Sequence, residues 1–251
     1  MAYQTLSYSR DDRVATITLN RPDRLNAITR EMPDEIRAAV EEANRDDLVH
    51  VIVLQGAGRA FCAGYDLKNA AERPRGTGGS QEMPWDPFID FQLMDHNTQC
   101  FQSLWRSYKP TICKIHGYAV AGGSDIALSC DLVVMAEEAK IGYPPARVWG
   151  CPTTMMWVYR VGAERAKRLL FTGDLIDGRE AERIGLITQG FAFDNLDGRK
   201  DGSFASVTRP GTGVCEVCHT TTRYYNNTGT GEPHYEFPCY TCHTHERGFL
   251  P

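Results

Sequence analysis

The run Val49–Gly56, "VHVIVLQG", constrains the fold more than any other stretch of the chain. It is a nearly continuous series of β-branched and aliphatic residues closed by glycine, the form expected of a strand buried on both faces. Such a strand needs cover above and below, and the flanking sequence supplies it. Upstream, Thr29 to Arg45 carries apolar residues and acids at helical spacing, with Pro33 in its first turn. Downstream, Phe88 to Tyr108 reads as a helix, "PTICKIHG" and "DLVVMAEE" as strands, and Thr153 to Phe171 and Gly178 to Ile184 as helices. Before all of them, "LSYSRDDRVATITLN" reads as two short strands joined by a polar turn. Strands and helices alternate, so the class is α/β with repeated ββα-like units.

The pattern stops near Gln189. From Gly190 to Pro251 there is no Ile, no Met and only two Leu, while four of the nine Cys and four of the seven His fall there. The sequence therefore divides into a domain at 1–189 and a loop-rich Cys/His tail at 190–251 with little core of its own. The net charge of −5 argues against a dedicated nucleic-acid binder, whose footprint is basic. No run is apolar enough to span a membrane, and the N-terminus lacks a basic segment followed by an apolar one. A cytoplasmic enzyme is the expectation.

Several motifs in the first part resemble the crotonase, or enoyl-CoA hydratase/isomerase, superfamily. They are "LNRPDRLNAI", "GRAFCAGYDL", "KPTICKIHGYAVAGGSDIALSCDLVVMAEEAKIGYP" and "TGDLIDGREAERIGLI", in that order from about Thr5 to about Gln189. The resemblance implies a β-β-α superhelix that binds an acyl-CoA thioester, needs no cofactor, and assembles as a homo-trimer or hexamer. It implies that the amides of Tyr65 and Gly122 form an oxyanion hole for the thioester enolate. Glycine at 122 lets the backbone approach a ligand closely at the start of a helix. By position in the motif, Ala63, Tyr65, Asp66, Leu67, Lys68 and Gly122 line the CoA site, with Lys68 offering a charge to the phosphates.

The acid–base residues depart from the family pattern. Relatives that hydrate an enoyl-CoA use two glutamates; here the first position is Asp125 and the second is Pro145. Proline carries no proton, so proton transfer at carbon, as in an isomerase, is expected over hydration, with Asp125 as the carrier. The helix dipole at Asp125 favours its ionised form. His116, Tyr143, Arg147, Asp86, Asp90 and His96 are further candidates to approach the pocket. Trp149 and Trp157 suggest bulky walls. Cys62, Cys100, Cys113, Cys130 and Cys151 have no metal-site spacing and read as reduced, buried thiols.

The tail carries a different chemistry. "CEVCH" and "CYTCH" place Cys215, Cys218 and His219, then Cys239, Cys242 and His243, in two CxxCH motifs, the pattern for covalent haem c attachment. The segment resembles part of a multihaem c-type cytochrome, in which His234 or His245 would be distal ligands. The same cysteines stand close to zinc-ribbon spacing, and a cytoplasmic location favours zinc. A redox or metal-binding protein acting through this tail is therefore the alternative to the acyl-CoA enzyme. The tail also stands where a crotonase would place its C-terminal helices, which in that family pack over the active site and help build the trimer.

Overall fold

The buried strand expected at Val49–Gly56 lies inside a six-stranded sheet, as Val51–Gly56 (β3). The computed structural model of the chain describes residues 3–67, 84–148 and 150–191. The chain divides after Phe193, and every described residue falls in the first unit.

Leu6–Asp11 (β1) and Val14–Leu19 (β2) form an antiparallel hairpin whose turn residue Asp12 adopts φ 47°, a conformation aspartate tolerates. From β2 onward the sheet is parallel: β2, β3, Thr111–Ile115 (β4), Leu132–Ala136 (β6) and Gln189–Phe191 (β9) follow in order. Parallel strands need crossovers and cover on both faces. Helix Met32–Arg45 (α1) supplies cover with Met32, Ile36, Ala39, Val40 and Ala43, one buried stripe at helical spacing. Helix Pro87–Trp105 (α2) packs on α1 and buries Cys100, Phe101 and Leu104.

A second, three-stranded sheet joins Tyr118–Val120 (β5), Lys140–Gly142 (β7) and Leu175–Asp177 (β8) in the order β5-β7-β8. Between β5 and β6 runs the short helix Gly122–Leu128 (α3), with all seven residues buried. Helix Met156–Thr172 (α4) starts three residues later than the sequence pattern suggests and breaks at Gly162, where φ 76° and ψ 165° leave the helical region. Gly178–Arg183 (α5) is capped by the Asp177 carboxylate, which accepts from the Glu180 amide. None of these helices is long and apolar enough to cross a membrane.

Candidate active site

The segment Phe61–Asp66 carries no regular secondary structure of its own, yet it is held on two sides. On one side stands the "RPDRLNAI" loop, where Leu25 and Asn26 take φ 48° and 55°. Asn26 is fully buried: its Nδ2 donates to the carbonyls of Ala57 and Ala60, and its Oδ1 accepts from the Arg21 amide, all at 2.8 Å. The backbones then interlock. Ala63 donates to the Leu25 carbonyl, Ile28 to that of Gly64, and Asp66 to that of Ile28, at 3.0, 2.8 and 3.0 Å. On the other side, the Cys62 amide donates to the Tyr118 carbonyl at 2.9 Å and the Val120 amide to the Cys62 carbonyl at 3.1 Å. The loop is thereby stitched to β5, just ahead of α3.

That stitching brings Gly64–Tyr65 against Ala121–Gly122. Gly64 has φ 89°, and a β-carbon there would stand 2.8 Å from Ala121 Cβ and 3.7 Å from the Gly122 nitrogen. A β-carbon on Gly122 would meet the Tyr65 ring at 2.9 Å and Ile28 Cδ1 at 2.8 Å. Both glycines are required by close approach, at Gly122 to side chains of this chain itself. Between them, Ala121 sits at φ 54°, ψ −129°, a strained conformation for a residue with a β-carbon. Sequence reasoning missed Ala121, because nothing in its residue type announces positive φ. Among the described residues the amides of Tyr65 and Gly122 donate no hydrogen bond, while their neighbours at Asp66, Ala121 and Ser124 all do. Two unspent donors on adjacent loops, one at a helix start, are what stabilisation of a developing oxyanion requires.

Asp125 lies one turn along α3, 1% exposed. Thr154 Oγ1 donates to its Oδ1 at 3.0 Å, and the Thr153 backbone also hydrogen-bonds it. Burial nonetheless dominates and raises its carboxyl from 3.8 to about 7, the two hydrogen bonds pulling the other way. The sequence offers two opposed influences on Asp125, a helix start that favours the ionised form and burial that favours the protonated one; here burial is the largest influence and its direction is upward. Tyr143 is brought alongside. Burial and then the Asp125 carboxylate raise its hydroxyl, which donates to the Cys151 carbonyl at 2.9 Å. Burial likewise pushes the Tyr65 hydroxyl to about 12, against the hydrogen bond from Asn97 Nδ2 at 3.3 Å. Thr153 Oγ1 is buried with no hydrogen-bond partner among the described residues, a polar group that the sequence pattern did not single out.

Other sequence candidates are engaged in contacts of their own. His116 Nε2 bonds the Gly58 carbonyl at 2.8 Å, and Arg147 is tied to the Thr172 carbonyl and to Asp174. Asp86 caps α2, Asp90 accepts from Trp85 Nε1, and His96 pairs with Asp34 on α1. Pro145 lies in the 3-10 turn Pro144–Arg147, where its carbonyl accepts from Val148 and Gly150. Of the CoA-lining candidates, Ala63 and Asp66 have committed their amides, and the Asp66 carboxylate is paired with Arg21 at 2.8 Å and only 7% exposed. The charge of Asp66 is thus held by Arg21. Leu67 is 77% exposed. Trp157 is buried core, and Cys151 is exposed, which corrects the expectation that all five front cysteines are buried. Lys68 and Trp149 lie outside the described residues, as do Cys215, Cys218, His219, Cys239, Cys242 and His243.

The sequence model of the family "Enoyl-CoA hydratase/isomerase" matches residues 9–200, most of the chain. The chain belongs to the enoyl-CoA hydratase/isomerase family. The crystal structure of an enoyl-CoA hydratase from Mycobacterium smegmatis is similar at 48% identity and TM-score 0.73, covering 80% of this chain and 70% of that one. An enoyl-CoA hydratase/isomerase from Xanthobacter autotrophicus Py2 is similar at 33% identity and TM-score 0.70, over 78% and 70%. A Thermus thermophilus protein provisionally named an enoyl-CoA hydratase is 37% identical over 60% of this chain, which spans only 57% of that relative's length. The family match ends at residue 200, ahead of both CxxCH motifs.

Proposed function

We propose that this chain binds an acyl-CoA thioester with its carbonyl oxygen between the amides of Tyr65 and Gly122, and moves a proton at the neighbouring carbon through Asp125. The observation that carries the reading is the pair of amides on two interlocked loops that donate to nothing among the described residues, with a buried carboxyl raised to about 7 one helical turn away. Ionised Asp125 takes a proton from the carbon next to the thioester; the C–H electron pair moves onto the carbonyl oxygen as an enolate. The two amides meet that charge, and Asp125 returns the proton to the same carbon or to the conjugated one. A carboxyl that titrates near neutrality is available in both forms for the two halves of the step.

Pro145 favours proton transfer over hydration in this reading. Hydration needs a second group to hold and activate water, and the residue at that position in the motif has none to offer. The relatives' names carry hydratase, so the two outcomes must be measured side by side.

The test compares Gly122→Pro with Gly122→Ala. Both add a β-carbon that must displace Ile28 Cδ1 and the Tyr65 ring, but only proline removes the amide hydrogen. The expected result is a further loss of roughly 10²–10³-fold in turnover of an enoyl-CoA for proline beyond that for alanine, since one oxyanion donor is worth that much elsewhere. Equal turnover in two folded variants would remove Gly122 from the oxyanion hole.

A further inference from the structure

Away from this pocket, α1 and α2 bring three side chains with different donor atoms to one point. His96 and Cys100 are four residues apart on α2 and therefore share a face of that helix. Asp34, in the first turn of α1, meets them there. His96 Nε2 lies 3.0 Å from Asp34 Oδ1 and 3.7 Å from Cys100 Sγ, and that sulfur lies 3.8 Å from the same carboxylate oxygen.

We propose that Asp34, His96 and Cys100 form a binding site for a divalent cation of the zinc class. Zinc binds thiolate sulfur at about 2.3 Å and imidazole nitrogen or carboxylate oxygen at about 2.0–2.2 Å, in tetrahedral array. Bonds of those lengths at the tetrahedral angle set nitrogen and oxygen about 3.4 Å apart, and sulfur about 3.6 Å from either. The separations of 3.0, 3.7 and 3.8 Å match this triangle to within a few tenths of an ångström, so side-chain adjustment alone seats an ion. A set of one sulfur, one nitrogen and one oxygen suits a borderline-soft ion and is wrong for magnesium or calcium, which take oxygen. Cys100 is buried and forms the floor, while Asp34 and His96, 51% and 45% exposed, form the rim through which an ion enters. Three protein ligands leave the fourth position to water.

Two features oppose binding, and neither is large enough to prevent it. Arg37 pairs with Asp34 at 2.7 Å, but both side chains are substantially exposed, and such pairs are weak. Arg37 sits on Oδ1, the oxygen that also faces His96 and Cys100, so an ion takes its place there and Arg37 moves to the second carboxylate oxygen. Burial raises the Cys100 thiol to about 11, a preference that a coordinating cation reverses by stabilising the thiolate. A bound ion would fasten α2 to α1 beside Asn97, whose amide reaches the Tyr65 hydroxyl.

The cysteine spacing of the chain conceals this site, because its ligands come from two helices and only one of them is a cysteine. The tail thiols must be silenced to see it. The experiment takes the full chain with Cys215→Ser, Cys218→Ser, Cys239→Ser and Cys242→Ser and titrates it with Co²⁺, then displaces the cobalt with Zn²⁺. The expected result is a sulfur-to-cobalt charge-transfer band with tetrahedral visible absorption, saturating at one equivalent. Added His96→Gln, at a rim position, weakens cobalt binding by more than the ~10–100-fold that a mere ligand-orienting partner is worth, with the circular dichroism unchanged. Added Cys100→Ser abolishes the charge-transfer band. Absence of a saturable band in the four-serine chain overturns the proposal, and so does a cobalt affinity that His96→Gln leaves within ~10-fold of its parent. Should Cys100→Ser fail to fold, the His96→Gln comparison alone decides.

Discussion

Replacing Asp125 by Asn tests whether burial has raised that carboxyl, independently of any substrate. The folded protein holds the group near 7, against 3.8 for an unburied carboxyl. The sign follows from proton linkage. A folded-state value above the unfolded one means that the native chain binds the proton more tightly, so its contribution to stability is largest below about pH 3.8 and is lost as pH rises through about 7. The gap of about three units corresponds to about 4 kcal/mol in all, of which about 3 kcal/mol disappears between about pH 5 and pH 8. Asparagine cannot ionise and so does not contribute this loss. It does lose one of the two donors that face Asp125, from Thr153 and Thr154, but that cost is nearly the same at both pH values. Urea unfolding of parent and Asp125→Asn at about pH 5 and pH 8 isolates the difference, since every other titrating group cancels between the two proteins. The parent should lose about 3 kcal/mol more than the variant on going from the lower pH to the higher. Equal losses would refute the argument from burial and leave Asp125 an ordinary helix-start acid.

Neighbouring contacts give two further expected outcomes. Thr154→Val deletes a hydrogen bond that favours the ionised form, so the pH at which proton exchange rises should move upward by about one unit in a kcat/KM profile. Asn26→Ala strips hydrogen bonds from the buried carbonyls of Ala57 and Ala60 and puts alanine, which lacks asparagine's tolerance of positive φ, at φ 55°; it should cost about 2–4 kcal/mol in thermal or urea unfolding, with activity per folded molecule largely retained.

The long elements were legible because their patterns are long. Val51–Gly56 and the stripe Met32, Ile36, Val40, Ala43 each repeat a period often enough to identify a strand or a helix, and Pro33 and Gly56 mark their ends. The three-residue strands at Tyr118–Val120, Lys140–Gly142 and Leu175–Asp177 were not, since three residues hold barely one period and their pairing depends on partners far along the chain. The same division holds at the site. Gly122 and Tyr65 were singled out through motif position, and the close approach that demands glycine is visible only in space. Ala121 carries the strain without a residue type that signals it. The balance at Asp125 stayed open in the sequence because helix polarity is written there and burial is not: the seven-residue helix is enclosed by elements from elsewhere in the chain. Asp34, His96 and Cys100 were invisible together for the same reason, being assembled by the packing of α1 on α2.

Solvent deuterium incorporation into a 3-enoyl-CoA, whose saturated carbon next to the thioester carries the proton of the proposed step, followed by mass spectrometry in parent and Asp125→Asn, puts the proposed proton carrier to the sharpest test. It reads proton transfer at carbon without requiring net reaction, and hydration is scored in the same samples by the mass of added water. The parent should exchange the carbon-bound hydrogen faster than it adds water, and exchange should fall by roughly 10²–10⁴-fold in the variant, the usual contribution of a positioned proton carrier. Exchange that is unchanged in Asp125→Asn would contradict the assignment of the proton carrier, and hydration outrunning exchange in the parent would contradict the reading of Pro145.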